Sequence, residues 1–255
     1  MKKEFEDIEN LYRFDEELRT LLFNIVGKIE IKLRSKINYT ITNFTQDPFW
    51  YLNENLFSNK LQHKTILNKI SNTFINSNEE YVKHFKEKYV NDKNNTYKHL
   101  PPFWIVSEIV MFGEILNIYR TLDKDKFREN KTNLLDKLAK EFGAYNLKEL
   151  NNWISLIKLI RNRTAHHSRV WNMNYFAPPG IYKKNPSHNR LTIQPYNANR
   201  LYSFFAILHI ISKNLELDVN IKEEIEVIME KYPIFDKLKK SSGFPQDWKD
   251  DVFWE

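Results

Sequence analysis

The chain has 255 residues, of which 42% are apolar and 15% aromatic, with no cysteine and a net charge of +6. That composition can fill a large core and excludes a disordered chain, while the lack of cysteine excludes disulfide frameworks, thiol catalysis, zinc fingers and iron–sulfur clusters. No segment has the roughly 18 to 20 consecutive apolar residues of a membrane-spanning helix, and no apolar leader follows Met1, so we expect a cytoplasmic protein that does not use a membrane.

The spacing of apolar residues predicts an all-α fold. Leu18, Leu22 and Ile25 belong to a three- and four-residue repeat, which indicates an amphipathic helix over 15–42 with Asp15 as its N-cap. Four more helices are predicted over 60–75, 79–89, 103–122 and 132–142. The last of these should stop at Gly143, and no alternating stretch is long enough for a sheet.

The next helix, termed the motif helix, is predicted over about 146–167 and opens with a capping box formed by Asn146 and Glu149. The remaining segments are, in order, a basic loop over about 171–199, C-terminal helices over about 201–232 and a tail over 233–255. This order predicts a single domain over 1–255, an antiparallel helical bundle with a long basic loop after the motif helix.

Basic residues are concentrated in and after the motif helix. Residues 151–200, termed the basic segment, hold eight Lys and Arg and no Asp or Glu, which leaves 31 basic and 33 acidic side chains in the other 205 residues. This asymmetry favours a polyanionic partner, with nucleic acid as the leading candidate and a solvated surface loop as the alternative. The predicted RNA contacts are Arg163, Arg169, Lys183, Lys184, Arg190 and Arg200.

The end of the motif helix combines three side chains that suit RNA cleavage. At 100° per residue, Asn162 and His166 share a face and Arg161 lies about 140° from His166, so the three can line one arc. An imidazole can move a proton, a guanidinium can stabilise charge on a phosphoryl oxygen, and an amide can orient that oxygen. These groups fit attack by the 2′-hydroxyl of RNA, with no metal and no other cofactor.

A structural interpretation of the same residues stays open. His166 and His167 are also typical of the last turn of a helix, where the dipole favours cations, and Arg161 can form an ion pair at the edge of the core. The lack of nearby carboxylates in the sequence disfavours that ion pair. On the first helix, the four-residue spacing of Glu30 and Arg34 indicates an intrahelical ion pair rather than site residues.

Four blocks of sequence are spread, in a fixed order, over nearly the whole chain. They are Phe14-Asp15-Glu16-Glu17-Leu18-Arg19, Leu100-Pro101-Pro102-Phe103-Trp104, Arg161-Asn162-Arg163-Thr164-Ala165-His166-His167-Ser168-Arg169 and Gly243-Phe244-Pro245-Gln246-Asp247-Trp248. Together they resemble the Abi (abortive infection) family of the AbiD/AbiF type.

The resemblance implies a HEPN fold, a helical bundle whose members often pair so that two Arg-Asn…His motifs form one composite ribonuclease site. It carries Arg161, Asn162 and His166 over as catalytic residues, and His167 extends the motif as a further candidate. It also implies a homodimeric toxin of phage defence, in a toxin–antitoxin arrangement where a structured small RNA restrains the protein.

Two features depart from the family pattern. The first block lies close to the start of this chain, whereas related chains carry a further N-terminal stretch before it, so a regulatory or substrate-contacting segment is expected to be missing or dispensable. Ser168 stands two residues beyond His166, where another HEPN group has a tyrosine that accepts a nucleotide. That modification is therefore not expected at this position.

Three other functions stay open from sequence alone. A non-catalytic RNA-binding protein would hold phosphates with Arg161 and the loop over 183–200. Its stacking surfaces would be Tyr175, Phe176, Tyr182 and Tyr196. A protein–protein adaptor would use the apolar bundle as its partner surface. A metal hydrolase fits least, because the adjacent His166 and His167 point about 100° apart and no carboxylate cluster accompanies them.

Overall fold

The computed structural model describes residues 2–90, 99–178, 180–181 and 190–255, with side chains from Phe5 onward. Within these ranges the chain forms nine α-helices and one two-stranded antiparallel sheet, so the predicted all-α class is confirmed. The helices are α1 (Lys2–Thr45), α2 (Lys60–Asn76), α3 (Glu80–Tyr89), α4 (Phe103–Ile109), α5 (Phe112–Thr121), α6 (Leu134–Glu141), α7 (Leu147–Ala165), α8 (Leu201–Asn214) and α9 (Ile221–Lys231). The strands are β1 (Arg128–Glu129) and β2 (Thr132–Asn133). No helix in the described part of the chain has the length and apolar content needed to cross a membrane.

The chain divides into two compact units. One unit, termed the motif unit, consists of residues 1–30 and 139–255, and the other of residues 31–138. Helix α1 contributes to both. The prediction of a single domain over 1–255 stays a prediction.

The motif unit is built around α8, in which every residue from Leu201 to Ser212 is buried. Residues 233–255, predicted as a tail, form three short 3-10 helices. They bury the aromatic side chains Phe235, Phe244, Trp248, Phe253 and Trp254. This segment is therefore part of the core of the motif unit, since burial of large aromatic rings is a major source of stability.

Helix α1 begins at Lys2, well before the predicted N-cap. Asp15 lies inside the helix and is only 4% exposed, on the same side as the buried Phe14 and Leu18. The prediction that Asp15 caps the helix is therefore wrong. Its carboxylate is instead satisfied by distant backbone donors, as the site described below makes clear.

In the unit formed by residues 31–138, the helix predicted over 103–122 is two helices. The backbone is extended at Val110 and Met111, with ψ of 151° and 150°, which ends α4 and starts α5. The guanidinium of Arg34 donates to the carbonyl oxygens of Ser107 and Val110, the latter at 3.0 Å. It thereby satisfies carbonyls that the end of α4 leaves without helical partners.

Candidate functional site

Helix α7 is fixed by a cap at its start and by a buried apolar face. The side chain of Asn146 accepts a hydrogen bond from the N–H of Glu149 at 3.0 Å, which is one half of the predicted capping box, and the carboxylate of Glu149 accepts from the N–H of Tyr145 at 2.6 Å. Trp153, Ile157 and Ile160 are each at most 1% exposed. This packing sets the rotation of the helix, and therefore the direction in which its last turns face.

The predicted catalytic residues lie on the other side of α7. Asn162 and His166 are exposed to solvent, and Arg161 lies at the edge of the buried face with 39% of its side chain exposed. Thr164 is buried, and its hydroxyl donates to the carbonyl oxygens of Ile160 and Arg161, each at 3.0 Å. The end of α7 thus offers an imidazole and an amide to solvent beside a partly covered guanidinium.

The chain leaves α7 through a turn that places His167 in a left-handed conformation, with φ of 53°. The N–H of His167 donates to the carbonyl of Thr164 at 3.2 Å, and the N–H of Ser168 donates to the carbonyl of Arg163 at 2.9 Å. This is the Schellman arrangement, in which glycine is the usual residue at the left-handed position. A histidine there strains the backbone, and strained residues cluster at functional sites.

Glu30 on α1 contacts the guanidinium of Arg161, with 3.5 Å between its Oε2 and the Nε of Arg161. Its side chain is only 12% exposed. The sequence disfavours an ion pair at Arg161, because no carboxylate lies near it along the chain, and favours Arg34 as the partner of Glu30. The observed contact shows that the inference against an ion pair at Arg161 is wrong. Because the contact joins residues far apart in the sequence, no local pattern predicts it.

Asp15 holds the chain that follows the motif. One carboxylate oxygen accepts hydrogen bonds from the N–H groups of Val170 at 2.9 Å and Trp171 at 3.1 Å. The other oxygen forms an ion pair with Arg19, one turn along α1. Buried charges need such partners, and here the partners fix the position of the α7 end against α1.

The predicted RNA-contacting cations fall into different environments. Arg169 is exposed, and its guanidinium carbon lies 5.8 Å from the centre of the Trp171 ring. Arg163 and Arg200 are half-buried, and Arg200 donates to the Oδ1 of Asn172 at 3.2 Å. Lys183 and Lys184 lie outside the described residues.

Arg190 is the exception among these cations, since it is 2% exposed. It donates to the carboxylate of Glu149 and to the carbonyl of Gly143, each at 3.0 Å. Its guanidinium carbon also lies 4.3 Å from the ring centre of Tyr145 and 5.1 Å from that of Trp153. We therefore correct its predicted role: Arg190 packs the motif unit and offers no charge to RNA at the surface.

The aromatic residues of the basic segment divide in the same way. Tyr175 is 4% exposed, and its hydroxyl donates to the carbonyl of Val170 at 2.6 Å, so it anchors the loop and is not a stacking surface. Burial raises the pKa of Tyr175 above its usual range, although the charge of Arg163 opposes this effect. Phe176 and Tyr196 are 44% and 54% exposed, and Tyr182 lies outside the described residues.

Comparison with known proteins adds one finding to this geometry. A family model described as "Abi-like protein" matches residues 1–172, two thirds of the chain, and the match includes the whole of α7 and its end. The chain belongs to the Abi-like protein family. Neither the curated proteins nor the solved structures contain a match to it.

Membership in the family confirms the Abi resemblance and fits a role in abortive infection. The fourth block of the resemblance, residues 243–248, lies beyond the matched part of this Abi-like protein. Its Trp248 is buried in the core of the motif unit. Among the described residues, no group of three or more His, Asp or Glu is placed to hold a metal ion.

Proposed function

We propose that this Abi-like protein is a metal-independent endoribonuclease toxin of a bacterial abortive-infection system, of the AbiD/AbiF type and the HEPN superfamily. It acts in the cytoplasm as a homodimer, with a structured small RNA as its antitoxin. The observation that carries the proposal is the end of α7, where exposed Asn162 and His166 lie beside Arg161, which Glu30 contacts.

The chemistry assigned to these groups is cleavage by the neighbouring 2′-hydroxyl of the RNA. A neutral imidazole takes the proton from the 2′-hydroxyl, and an imidazolium gives a proton to the departing 5′-oxygen. Arg161 stabilises the charge on the non-bridging phosphoryl oxygens, and Asn162 donates a hydrogen bond to one of them. Glu30 is a positioning residue, because it limits the directions in which the Arg161 guanidinium can point.

Two proton transfers use two imidazoles, and a homodimer can supply them from two copies of His166, with His167 as the further candidate in each copy. Support for pairing comes from α1, where Phe5, Ile8 and Tyr12 are 69%, 66% and 66% exposed. Their spacing places them within an arc of about 60° on one face of the helix. Exposed apolar faces of this kind mark contact surfaces, and in the proposed homodimer a second copy covers this face of α1. In the proposed complex, RNA is held by Arg163, Arg169, Arg200, Lys183 and Lys184.

The test is cleavage of mixed cellular RNA by the purified protein in EDTA, with His166→Ala beside the wild type and His84→Ala as a matched exposed-histidine control. We expect the wild type and His84→Ala to cleave equally and His166→Ala to lose about 10²- to 10⁴-fold in rate. In the same assay, Glu30→Gln should lower the rate while RNA affinity is retained. Equal cleavage by wild type and His166→Ala, or none by either, overturns the catalytic assignment.

A second candidate function is RNA binding without cleavage. The exposed rings of Phe176 and Tyr196 favour it, since bases stack on exposed aromatic side chains. The double variant Arg161→Ala, His166→Ala separates the two functions. An enzyme loses toxicity with RNA affinity nearly unchanged, whereas a binding protein loses toxicity and affinity together.

A further inference from the structure

A groove of about 380 Å³ lies between α1 and the end of α7 within the motif unit. Glu16, Thr20 and Phe23 line it from α1, and Ala165 and His167 line it from α7 and its final turn. Such a volume is within the range of small-molecule sites and can accept a single nucleobase. Ala165 and His167, which line the groove, flank His166 in the chain, so the groove lies beside the residue assigned to proton transfer.

The lining of the groove does not suit a phosphate. Arg19 also borders it, but this residue is 8% exposed and its charge is neutralised by the ion pair with Asp15. The carboxylate of Glu16 is exposed and repels anions. The groove therefore rejects a phosphate group and favours a neutral ligand with hydrogen-bond donors.

The groove combines an aromatic ring, on which any base of single-stranded RNA can stack, with a carboxylate, which can distinguish one base from another. Phe23 is 47% exposed, although it is large and apolar, so one side of its ring is open to a stacking partner. An ionised carboxylate only accepts hydrogen bonds. Guanine alone offers it two adjacent donors, N1–H and the N2 amino group, whereas adenine and cytosine place a donor beside an acceptor and uracil has one donor between two carbonyls.

We infer that this groove holds an unstacked guanine of the RNA next to the cleaved phosphodiester, with Phe23 stacking on the base and Glu16 accepting from N1–H and N2–H. The inference rests on the proposed function for its substrate and adds a specificity determinant to it. Neither Phe23 nor Glu16 takes part in the proton transfers.

One arm of the test is cleavage of a randomised single-stranded RNA followed by sequencing of the product ends. The wild type should show guanine enriched at one fixed position relative to the cut. Phe23→Ala should cleave about tenfold more slowly, in line with the loss of one stacked base. Glu16→Gln should lose the enrichment and cleave guanine-containing sites no faster than other sites, because the Gln amide cannot accept both hydrogen bonds. The controls are Tyr39→Ala, which removes another exposed α1 aromatic, and Glu6→Gln, which removes another exposed α1 carboxylate.

The other arm measures binding without cleavage, so that it survives a failure of the proposed function. His166→Ala, alone and with Glu16→Gln, is titrated with two labelled single-stranded 12-mers that differ only by guanine or inosine at one position. Inosine lacks the N2 amino group, so it should bind about fivefold more weakly to His166→Ala and equally to the double variant. A wild type that cannot cleave RNA, combined with this difference, leaves the groove assignment standing and ends the ribonuclease proposal.

Equal affinity for both oligonucleotides in His166→Ala overturns the groove assignment, whether or not the wild type cleaves RNA. The groove assignment is also overturned if Phe23→Ala and Glu16→Gln cleave with the same base preference as the wild type. If Phe23→Ala instead halves the mass of the particle in solution and leaves base preference intact, the ring belongs to an interface between copies and the assignment is also wrong.

Discussion

The two ends of the basic segment of this Abi-like protein are both anchored, but their arginines differ in exposure. At the first end, Arg161 keeps 39% of its side chain exposed, and Asn162 and His166 beside it face solvent. At the far end, Arg190 is 2% exposed and bound to Glu149. Arg161 is available to a ligand, whereas Arg190 is part of the core.

Carboxylates from outside the segment account for much of this anchoring. Asp15 and Glu30 reach the first end from α1, whereas Glu149 and Asp251 reach the far end. Asp251, which is 1% exposed, accepts hydrogen bonds from the N–H of Thr192 at 2.9 Å and the N–H of Ile193 at 2.7 Å. The basic segment contains no Asp or Glu, but carboxylates from other parts of the chain bind it. Among the described residues, the α7 end keeps its motif side chains open to RNA, whereas Arg190 is closed to it.

The largest expected effects, on RNA cleavage and on stability, come from two single variants that each remove one arginine. Arg161→Ala should lower RNA cleavage by about 10²- to 10³-fold, because a charge-stabilising donor is lost. Its effect on the free energy of unfolding should stay within about 1 kcal/mol, since a partly exposed ion pair contributes little. Arg190→Ala should cost about 3 to 5 kcal/mol of stability, because Glu149 is left buried without its charge partner. Urea unfolding curves and initial cleavage rates measure the two quantities.

The double variant Glu149→Gln, Arg190→Met is the control at the far end. With both charges removed, it should recover most of the stability that Arg190→Ala loses. Cleavage by the folded Arg190→Ala protein should equal that of the wild type. If Arg190→Ala kept its stability and lost cleavage, the far end would belong to the site and the contrast between the two ends would fail.

Local features of the fold were predictable from sequence, and the anchors were not. The cap at Asn146 and the stop at Gly143 depend on residues within a few positions of each other, so the sequence shows them directly. The bond from Val170 to Asp15 joins residues 155 positions apart, and that from Thr192 to Asp251 joins residues 59 apart. Such pairs follow from packing, which no spacing rule contains.

The one available signal for Asp15 was its place on the buried side of α1, beside Phe14 and Leu18. A polar residue on an apolar face needs a partner inside the protein, and that requirement identifies it as an anchor rather than a cap. Glu30 gave no comparable signal. The motif residues Arg161 and His166 are predictable from the chemistry they suit and from the family resemblance, since the spacing alone is common.

A smaller effect is expected from neutralising the two buried aspartates that anchor the ends. Asp15→Asn and Asp251→Asn should each lower the free energy of unfolding by about 2 to 3 kcal/mol, because the new amide points a donor at Arg19 in the first variant and at the N–H of Phe253 or Thr192 in the second. Only Asp15→Asn should also lower the cleavage rate of the folded protein, since loss of the Arg19 ion pair weakens the anchor of the chain directly after the α7 end. Equal losses of activity in both variants would show that the two anchors serve one site.

The smallest expected change in stability concerns the turn after α7, for which α8 provides an internal control. Glu216 follows α8 with φ of 51°, and the N–H of Leu217 donates to the carbonyl of Ser212 at 2.9 Å, as Ser168 does to Arg163. His167 and Glu216 therefore occupy the same left-handed position of the same turn. Glycine at either site removes the steric cost that a residue with a Cβ has in the left-handed conformation. The greater conformational freedom of glycine in the unfolded chain partly offsets this gain in stability.

His167→Gly and Glu216→Gly should each raise the free energy of unfolding by about 0.5 kcal/mol. If the strain at His167 is kept because its imidazole serves the site, His167→Gly should also lower RNA cleavage by about tenfold, whereas Glu216→Gly should leave it unchanged. His167→Asn tests the same point with a residue that tolerates the left-handed conformation, since it keeps the turn and removes only the imidazole. Full cleavage by His167→Gly would mean that this histidine shapes the backbone alone, and that the second proton transfer depends on the partner's copy of His166.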